Sequence, residues 1–200
     1  MLYYERKLKK QGFKLIIGVD EAGRGPLAGP VVAAAVLLNT YRFKNRIDDS
    51  KKLTSGARER AFFEIIRKSE FEIGVVDELV IDRINILQAT RLAMCQAVNA
   101  LAAKLGLEGN GTVHIIVDGK MNLDTRFSCT DIIKGDARSK SIASASILAK
   151  VTRDRMMDSY HKLYPQYGFD RHKGYPTKAH RLAIKKEGLS PIHRKSFSIC

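Results

Sequence analysis

The spacing of apolar residues divides the chain into short apolar runs and longer amphipathic stretches. Residues 13–19 (FKLIIGV) and 31–38 (VVAAAVLL) are short, rich in β-branched residues or bounded by glycine and proline, which is typical of strands. We expect these two strands to be neighbours in a sheet. Residues 71–76, 113–117 and 129–133 predict three more strands, of which the last has the weakest pattern.

Four stretches carry apolar residues at the spacing of a helix. Residues 55–69 and 84–105 are amphipathic, and Gly106 ends the second of them. Residues 139–162 are rich in alanine and serine, which lets a helix lie close to a sheet, and a last helix follows Pro176. The order of strands and helices predicts an α/β fold with a central mixed five-stranded sheet flanked by helices.

Length and composition fit a compact globular protein. The chain has 200 residues, of which 44% are hydrophobic, and it shows no repeat. We expect a single domain over residues 1–200, with residues from about 160 to 200 forming a small C-terminal helical cap. The apolar run 31–38 is too short to cross a bilayer, and no apolar stretch follows the basic start, so we expect a cytoplasmic protein. Cys95, Cys129 and Cys200 show no C-x-x-C spacing and predict reduced thiols.

The charge balance favours a polyanionic partner. The chain has 35 Lys and Arg against 21 Asp and Glu, a formal net charge of +14. Binding of basic side chains to phosphates releases counterions, so such a surface suits nucleic acid. Charge alone does not separate this from a basic surface that serves only solubility.

Three acidic residues occupy equivalent positions along the chain. Asp20, Asp118 and Asp136 each follow an apolar run and have a glycine close by. Because ligands of open α/β sheets bind beyond the carboxyl ends of the strands, these acids can converge there. Neighbouring residues of a strand point to opposite faces, so Glu21 joins Asp20 only if the strand breaks between them, and the glycines that follow allow such a break.

Four carboxylates without histidine or cysteine favour Mg²⁺ or Mn²⁺ over zinc. An acidic pocket in a basic protein is the arrangement that two-metal phosphodiester hydrolysis needs. A single aspartate at a strand end more often caps a helix or fixes a turn, so only the combination indicates this chemistry.

Two other motifs are weaker candidates. The run GRGPLAG (23–29) follows a strand, but its spacing is one residue longer than the dinucleotide-binding fingerprint, and Pro26 and Pro30 oppose the required helix. The five histidines would suit acid–base cleavage of RNA. Their spacing supports no metal pair, and His114 falls within a predicted strand, so we interpret most of them as surface or core residues.

Seven segments spread along the chain carry a further signal. They are GVDEAGRGPLAGPVV (18–32), DSKKLT (49–54), NILQATRLAM (85–94), VDG (117–119), KGDARSKSIASASILAKVTRDR (134–155), YPQYGFDRHKGYPTKAH (164–180) and HRKSF (193–197). Together these segments resemble bacterial type 2 ribonuclease H (ribonuclease HII), extend over nearly the whole chain and follow the family's order.

The resemblance implies a ribonuclease H-like fold and an endonuclease that cuts the RNA strand of RNA–DNA hybrids. It also implies incision 5′ of single ribonucleotides in duplex DNA, leaving 5′-phosphate and 3′-hydroxyl ends. The implied catalytic and metal-binding set is Asp20, Glu21, Asp118 and Asp136. Two ions, Mg²⁺ or Mn²⁺, would respectively activate the attacking water and stabilise the leaving 3′-oxygen. Asp154 competes with Asp136 for the fourth position, but two arginines flank Asp154 and favour an ion pair there.

The resemblance also implies a substrate-binding set. Glycine permits close backbone approach to the 2′-hydroxyl that distinguishes RNA from DNA, a tyrosine packs on the ribonucleotide sugar, and lysines contact phosphates. The residues in these roles are Gly23, Arg24, Gly25, Tyr175, Lys51 and Lys52. We expect a monomer without an obligate protein partner. A noncatalytic hybrid-binding protein on the same fold is the alternative.

Overall fold

The fold is built on a five-stranded mixed sheet, as the sequence predicts. The computed structural model describes residues 1–109 and 111–198, so Cys200 lies outside the described residues. The strands are β1 (Leu15–Ala22), β2 (Val31–Leu38), β3 (Ser69–Val76), β4 (Val113–Asp118) and β5 (Ser128–Ile132), in the spatial order β3-β2-β1-β4-β5. β1, β2 and β3 pair antiparallel, whereas β4 runs parallel to both β1 and β5. The predicted pairing of the first two strands is confirmed.

The described part of the chain contains six α-helices beside the sheet. They are α1 (Tyr3–Lys10), α2 (Ser55–Lys68), α3 (Glu78–Lys104), α4 (Lys140–Leu163), α5 (Phe169–His172) and α6 (Lys178–Glu187). Short 3₁₀ turns lie at Ser50–Lys52, Gly135–Ala137 and Pro165–Tyr167. The sequence pattern predicted α2, α4 and α6 closely and missed α1 and α5.

The helix α3 is interrupted near the start that its sequence predicted. Asn85 has a left-handed φ of 65°, and its side-chain oxygen accepts hydrogen bonds from the N–H groups of Leu87 and Gln88. Asn85 therefore caps the long second part of α3. The first part begins after Asp77, which caps the N–H of Val80.

Helices cover both faces of the sheet. α3 packs on one face, and α2 and α4 pack on the other, each over a separate apolar cluster. Glycine makes the closest approach possible, because a Cβ on Gly18 would lie 2.2 Å from the carbonyl carbon of Ser141 in α4. This contact brings α4 directly against the middle of β1.

The elements after α4 form a third apolar cluster beside the sheet. Leu27 and Ala28 of the β1–β2 loop pack there with Met157 of α4, Phe169 and Ile184. The C-terminal elements therefore rest on the loop that follows β1. No helix in the described part of the chain is long and apolar enough to cross a membrane. Cys95 and Cys129 are free thiols.

Candidate active site

Three carboxylates meet at the carboxyl ends of β1 and β4. Asp20 comes from β1, Asp118 ends β4, and Asp136 lies in the 3₁₀ turn after β5. One oxygen of each lies within 4.8 Å of the others. The parallel register pairs Val19 with Val117, so the next residue of each strand is an aspartate on the same edge. The sequence prediction that these acids converge is confirmed.

The surroundings of the triad (Asp20, Asp118 and Asp136) oppose negative charge. Burial, Glu21 and Asp118 raise the pKa of Asp20 well above its usual value, although a hydrogen bond from Ser146 opposes the shift. Burial and the neighbouring Asp118 also raise the pKa of Asp136. The carboxylates therefore repel one another in a site that excludes much of the solvent, and a bound cation would relieve this repulsion.

The turn after β5 is shaped to present its acid. Lys134 adopts a left-handed φ of 55°, and the N–H of Gly135 donates to Oδ1 of Asp118 at 2.6 Å. A Cβ at Gly135 would lie 2.6 Å from the Cδ1 of Ile142, so any other residue would have to displace the end of that side chain. This hydrogen bond ties the Asp136 turn to the end of β4.

Glu21 lies next to the triad but is not part of the close cluster. The strand does not break between Asp20 and Glu21, because β1 stays paired with β2 through Ala22, although its pairing with β4 ends at Val19. The Glu21 Oε1 accepts from the exposed Arg24 at 3.4 Å, and burial raises the pKa of Glu21. Its Oε2 is buried and has no hydrogen-bond partner among the described residues.

These features fit a hard divalent cation. The triad offers only carboxylate oxygens, the ligands that Mg²⁺ and Mn²⁺ prefer, and no histidine or cysteine belongs to the cluster within the described ranges. The unpartnered Oε2 of Glu21 is a further oxygen beside them. The donor set and the mutual repulsion of the acids both call for positive charge at this position.

Lys51 lies close to the triad. Burial alone would lower the pKa of Lys51, but Asp49 and the triad acids Asp20, Asp136 and Asp118 outweigh it and raise that pKa. The backbone of the segment is fixed because Asp49 accepts from the N–H of Lys51 at 2.9 Å.

Lys52 is exposed and pairs with Asp48. Its Nζ is 3.6 Å from an oxygen of Asp48, and more than half of its side chain is exposed. The neighbouring Ser50 shares a 3.0 Å hydrogen bond with Ser146, which also contacts Asp20. The DSKKLT segment thus reaches the triad through Lys51 and Ser50 rather than through Lys52.

Gly25 of the β1–β2 loop and Tyr175, two members of the expected substrate-binding set, are neighbours. A Cβ at Gly25 would lie 3.6 Å from Cε1 of Tyr175, whose residue is 38% exposed. Gly23 differs, because it is buried with a φ of +102° and its Cβ would lie 2.2 Å from Nε of Arg153. Internal packing thus explains the glycine at Gly23, whereas Gly25 borders open surface.

Asp154 lies outside the triad. Its carboxylate accepts from Nζ of Lys150 at 2.7 Å and lies 3.7 Å from Nη1 of Arg58. The structure therefore favours Asp136 over Asp154 as the partner of Asp20 and Asp118.

A buried histidine pair in the C-terminal elements was not predicted as a pair. His180 Nε2 lies 3.0 Å from His193 Nε2, while His180 Nδ1 contacts the carbonyl oxygen of Tyr175 at 3.0 Å. Ser190 donates to Nδ1 of His193 through both its N–H and its hydroxyl. Each imidazole therefore carries one proton, and the pair supports the backbone of Tyr175. The only sequence signal for the pair was that His180 and His193 lie in two of the segments that carry the family resemblance, 164–180 and 193–197.

Comparison with known proteins agrees with this geometry. A family model described as Ribonuclease HII matches residues 17–200. The chain is 48% identical over 201 residues to the ribonuclease HII of Syntrophus aciditrophicus, with 100% of this chain and 91% of that protein covered. It is 51% identical over 199 residues to the ribonuclease HII of Acetivibrio thermocellus, covering 99% of this chain and 75% of that protein.

Solved structures share the fold. The ribonuclease H2 of Pyrococcus horikoshii superposes with a TM-score of 0.74 at 26% identity and covers 92% of this chain and 94% of its own. Bst-RNase HIII, solved in complex with Mn²⁺, gives a TM-score of 0.67 at 19% identity over 95% of this chain and 69% of its own. The predicted ribonuclease H-like fold is confirmed.

Proposed function

The chain belongs to the ribonuclease HII family and is a metal-dependent endoribonuclease; from this premise we propose its substrates, its site residues and its metals. It hydrolyses the RNA strand of RNA–DNA hybrids and incises 5′ of single ribonucleotides in duplex DNA, leaving 5′-phosphate and 3′-hydroxyl ends. The observation that carries the proposal is the convergence of Asp20, Asp118 and Asp136 within 4.8 Å. A noncatalytic hybrid-binding protein would have no use for three mutually repelling acids at this position.

Four carboxylates hold the ions in this proposal. Asp20, Asp118 and Asp136 supply the central ligands, and the unpartnered oxygen of Glu21 supplies another. Two divalent ions held there, Mg²⁺ or Mn²⁺, would supply the chemistry of lowering the pKa of an attacking water and neutralising charge on the scissile phosphate and the leaving oxygen. The protein fixes the ligands beforehand, because the Gly135 N–H holds the Asp118 carboxylate in place.

The substrate lies along the surface that joins the triad to the glycine loop. Gly25 and Tyr175 share one exposed patch, so a sugar stacked on the tyrosine is next to the loop backbone. Arg24 is exposed at the same loop, and Gly23 sets its backbone shape. Lys51 beside the triad and the exposed Lys52 contact phosphates and position the duplex without reading its sequence.

Residues 1–200 act as one domain and as a monomer in this proposal. Residues from about 160 onward form a cap whose apolar side rests on Leu27 and Ala28 of the β1–β2 loop. Light scattering coupled to size-exclusion chromatography tests the monomer, and a stable dimer would refute it.

Cleavage assays test the substrate and the metals together. We expect the protein to cut a labelled duplex with one ribonucleotide in Mg²⁺ or Mn²⁺, to leave an all-DNA duplex intact, and to stop in EDTA. Asp136→Asn abolishes cutting, while Asp124→Asn, at an exposed acid outside the triad, retains it. Cutting that continues in EDTA, or products with 2′,3′-cyclic phosphate, would refute the metal mechanism.

A further inference from the structure

The loop after β1 is held by a buried arginine. Arg194 is 1% exposed, and its guanidinium donates four hydrogen bonds to backbone carbonyls of residues 23–30. The acceptors are the oxygens of Gly23 at 2.6 Å, Arg24 at 3.1 Å, Pro26 at 2.8 Å and Gly29 at 2.9 Å. One side chain from the far end of the chain therefore fixes the path of the whole loop.

A second buried arginine holds the rest of the loop. Arg153 of α4 donates to the carbonyl oxygens of Pro30 at 2.9 Å and Ala28 at 3.0 Å. Its third bond goes to the carbonyl of Lys173 at 2.9 Å, and its guanidinium carbon lies 6.0 Å from the ring centre of Tyr175. Arg153 thus couples the loop to the segment that carries the tyrosine.

Among the described residues no carboxylate lies within ion-pair distance of either guanidinium, although Glu78 attracts Arg194 and Asp154 attracts Arg153 from further away. In the part of the chain that the structure describes, all their hydrogen bonds go to backbone carbonyls, and no ion pair includes either side chain. Burial lowers the pKa of Arg194 to about 9 and that of Arg153 to about 10, so both are cations at neutral pH. Burying an unpaired charge costs free energy that an apolar core would avoid.

The arginines determine which backbone groups face outward. With its carbonyls turned inward, the loop leaves the N–H groups of Arg24 and Gly25 without an acceptor among the described residues, and both residues are exposed. The two outward N–H groups and the positive charges of the two buried arginines together form a surface that attracts the oxygen atoms of an anion.

We propose that Arg153 and Arg194 are positioning residues for ribonucleotide recognition: they hold residues 23–30 so that the N–H groups of Arg24 and Gly25 meet the phosphate and 2′-hydroxyl of the bound ribonucleotide. The inference rests on the proposed function, since it assigns the loop and Tyr175 to the substrate. It concerns two residues that do not themselves touch the nucleotide.

Substitution at each arginine tests the role. Arg194→Lys and Arg153→Lys retain a positive charge but lose the planar fork that binds several carbonyls at once. We expect each to lower the ratio of affinities for a one-ribonucleotide duplex over an all-DNA duplex by about tenfold or more, because small misplacements of binding groups are costly. Fluorescence anisotropy of labelled duplexes in Ca²⁺ measures this ratio. The rise in melting temperature that Mn²⁺ causes measures cation binding at the triad, and we expect it to stay at its parental value.

A core variant separates positioning from general destabilisation. Ile65→Ala removes a fully buried side chain of α2, away from the loop, and should lower the melting temperature without changing the affinity ratio. Adding low millimolar guanidinium to the Arg194→Ala variant should restore part of its lost preference for the one-ribonucleotide duplex over the all-DNA duplex.

Failure of the proposed function and failure of this inference give different results. If the parent protein does not prefer the ribonucleotide duplex, the proposed function fails. If the parent prefers it and both lysine variants keep that preference, or if Ile65→Ala loses it equally, the two arginines are structural only and the inference is overturned.

Discussion

Removing one acid from the triad should stabilise the metal-free protein. Oxygens of Asp20, Asp118 and Asp136 lie within 4.8 Å, and at an effective dielectric constant of about 20 two unit charges at that distance repel by about 3 kcal/mol. Asp136→Asn removes this repulsion, but it also removes the attraction to Lys51. We expect the free energy of unfolding in EDTA to rise by about 1–2 kcal/mol, and the melting temperature by about 2–4 °C per kcal/mol.

The pH dependence of this gain has a defined sign. Burial and Asp118 raise the folded-state pKa of Asp136 above its unfolded value. The charged acid therefore costs stability above the folded pKa, and this cost disappears as the pH falls toward the unfolded value. The advantage of Asp136→Asn over the parent should accordingly be largest near neutral pH and shrink on acidification.

Urea unfolding and thermal melting in EDTA, repeated with Mn²⁺, measure both effects. The parent should melt at a higher temperature with Mn²⁺, and Asp136→Asn should lose most of that rise together with at least about 100-fold in cleavage rate. Asp124→Asn serves as the matched control and should resemble the parent. An Asp136→Asn protein that is no more stable in EDTA and keeps the full Mn²⁺ response would refute the repulsive cation site.

Three further predictions follow from packing and charge. Burial lowers the pKa values of His180 and His193 from 6.5 to about 4, so the stability that depends on their neutral forms is present above pH 6.5 and is lost as the pH falls toward 4, by about 3 kcal/mol for each histidine. A flat urea-unfolding profile between pH 7 and 4.5 would contradict this. Gly18→Ala should cost about 3 kcal/mol or more, because its Cβ would lie 2.2 Å from the Ser141 carbonyl carbon, and parental stability in urea would show that the contact is not that close. Lys51→Ala should raise KM a few-fold and lower the salt dependence of duplex binding by about one counterion, whereas an unchanged salt slope would remove Lys51 from the phosphate contacts.

Hydrophobic spacing predicted the sheet and its large helices because those elements bury apolar faces. It missed α1, whose sequence is mostly charged. That helix is held instead by tertiary contacts, since Glu5 accepts from the Ser139 hydroxyl at 2.7 Å and from the Ser141 N–H at 3.0 Å. The first part of α3 was also missed, because Asn85 interrupts the helix and starts a new one that the spacing of apolar residues recognises.

The sequence predicted those site residues that lie at or just beyond the ends of strands. Asp20 and Asp118 meet because they follow a paired register. The same pattern of an acid after an apolar run indicated Asp136, and the resemblance favoured it over Asp154. The position of Glu21 beside the triad was not predictable, because the pairing of β1 with β2 continues beyond the point where its pairing with β4 ends. The roles of Arg153 and Arg194 were not predictable, because their partners are backbone carbonyls, which any residue type supplies.

The three acids of the triad come from segments that are far apart in the sequence and are therefore synthesised at different times. Asp20 and Asp118 become neighbours only when β4 has joined β1, and Asp136 follows later still. A nascent chain that has emerged only through its first hundred residues therefore lacks two of the three central acids. A translation product that ends before Asp136 therefore lacks a complete triad and cannot assemble this cation site.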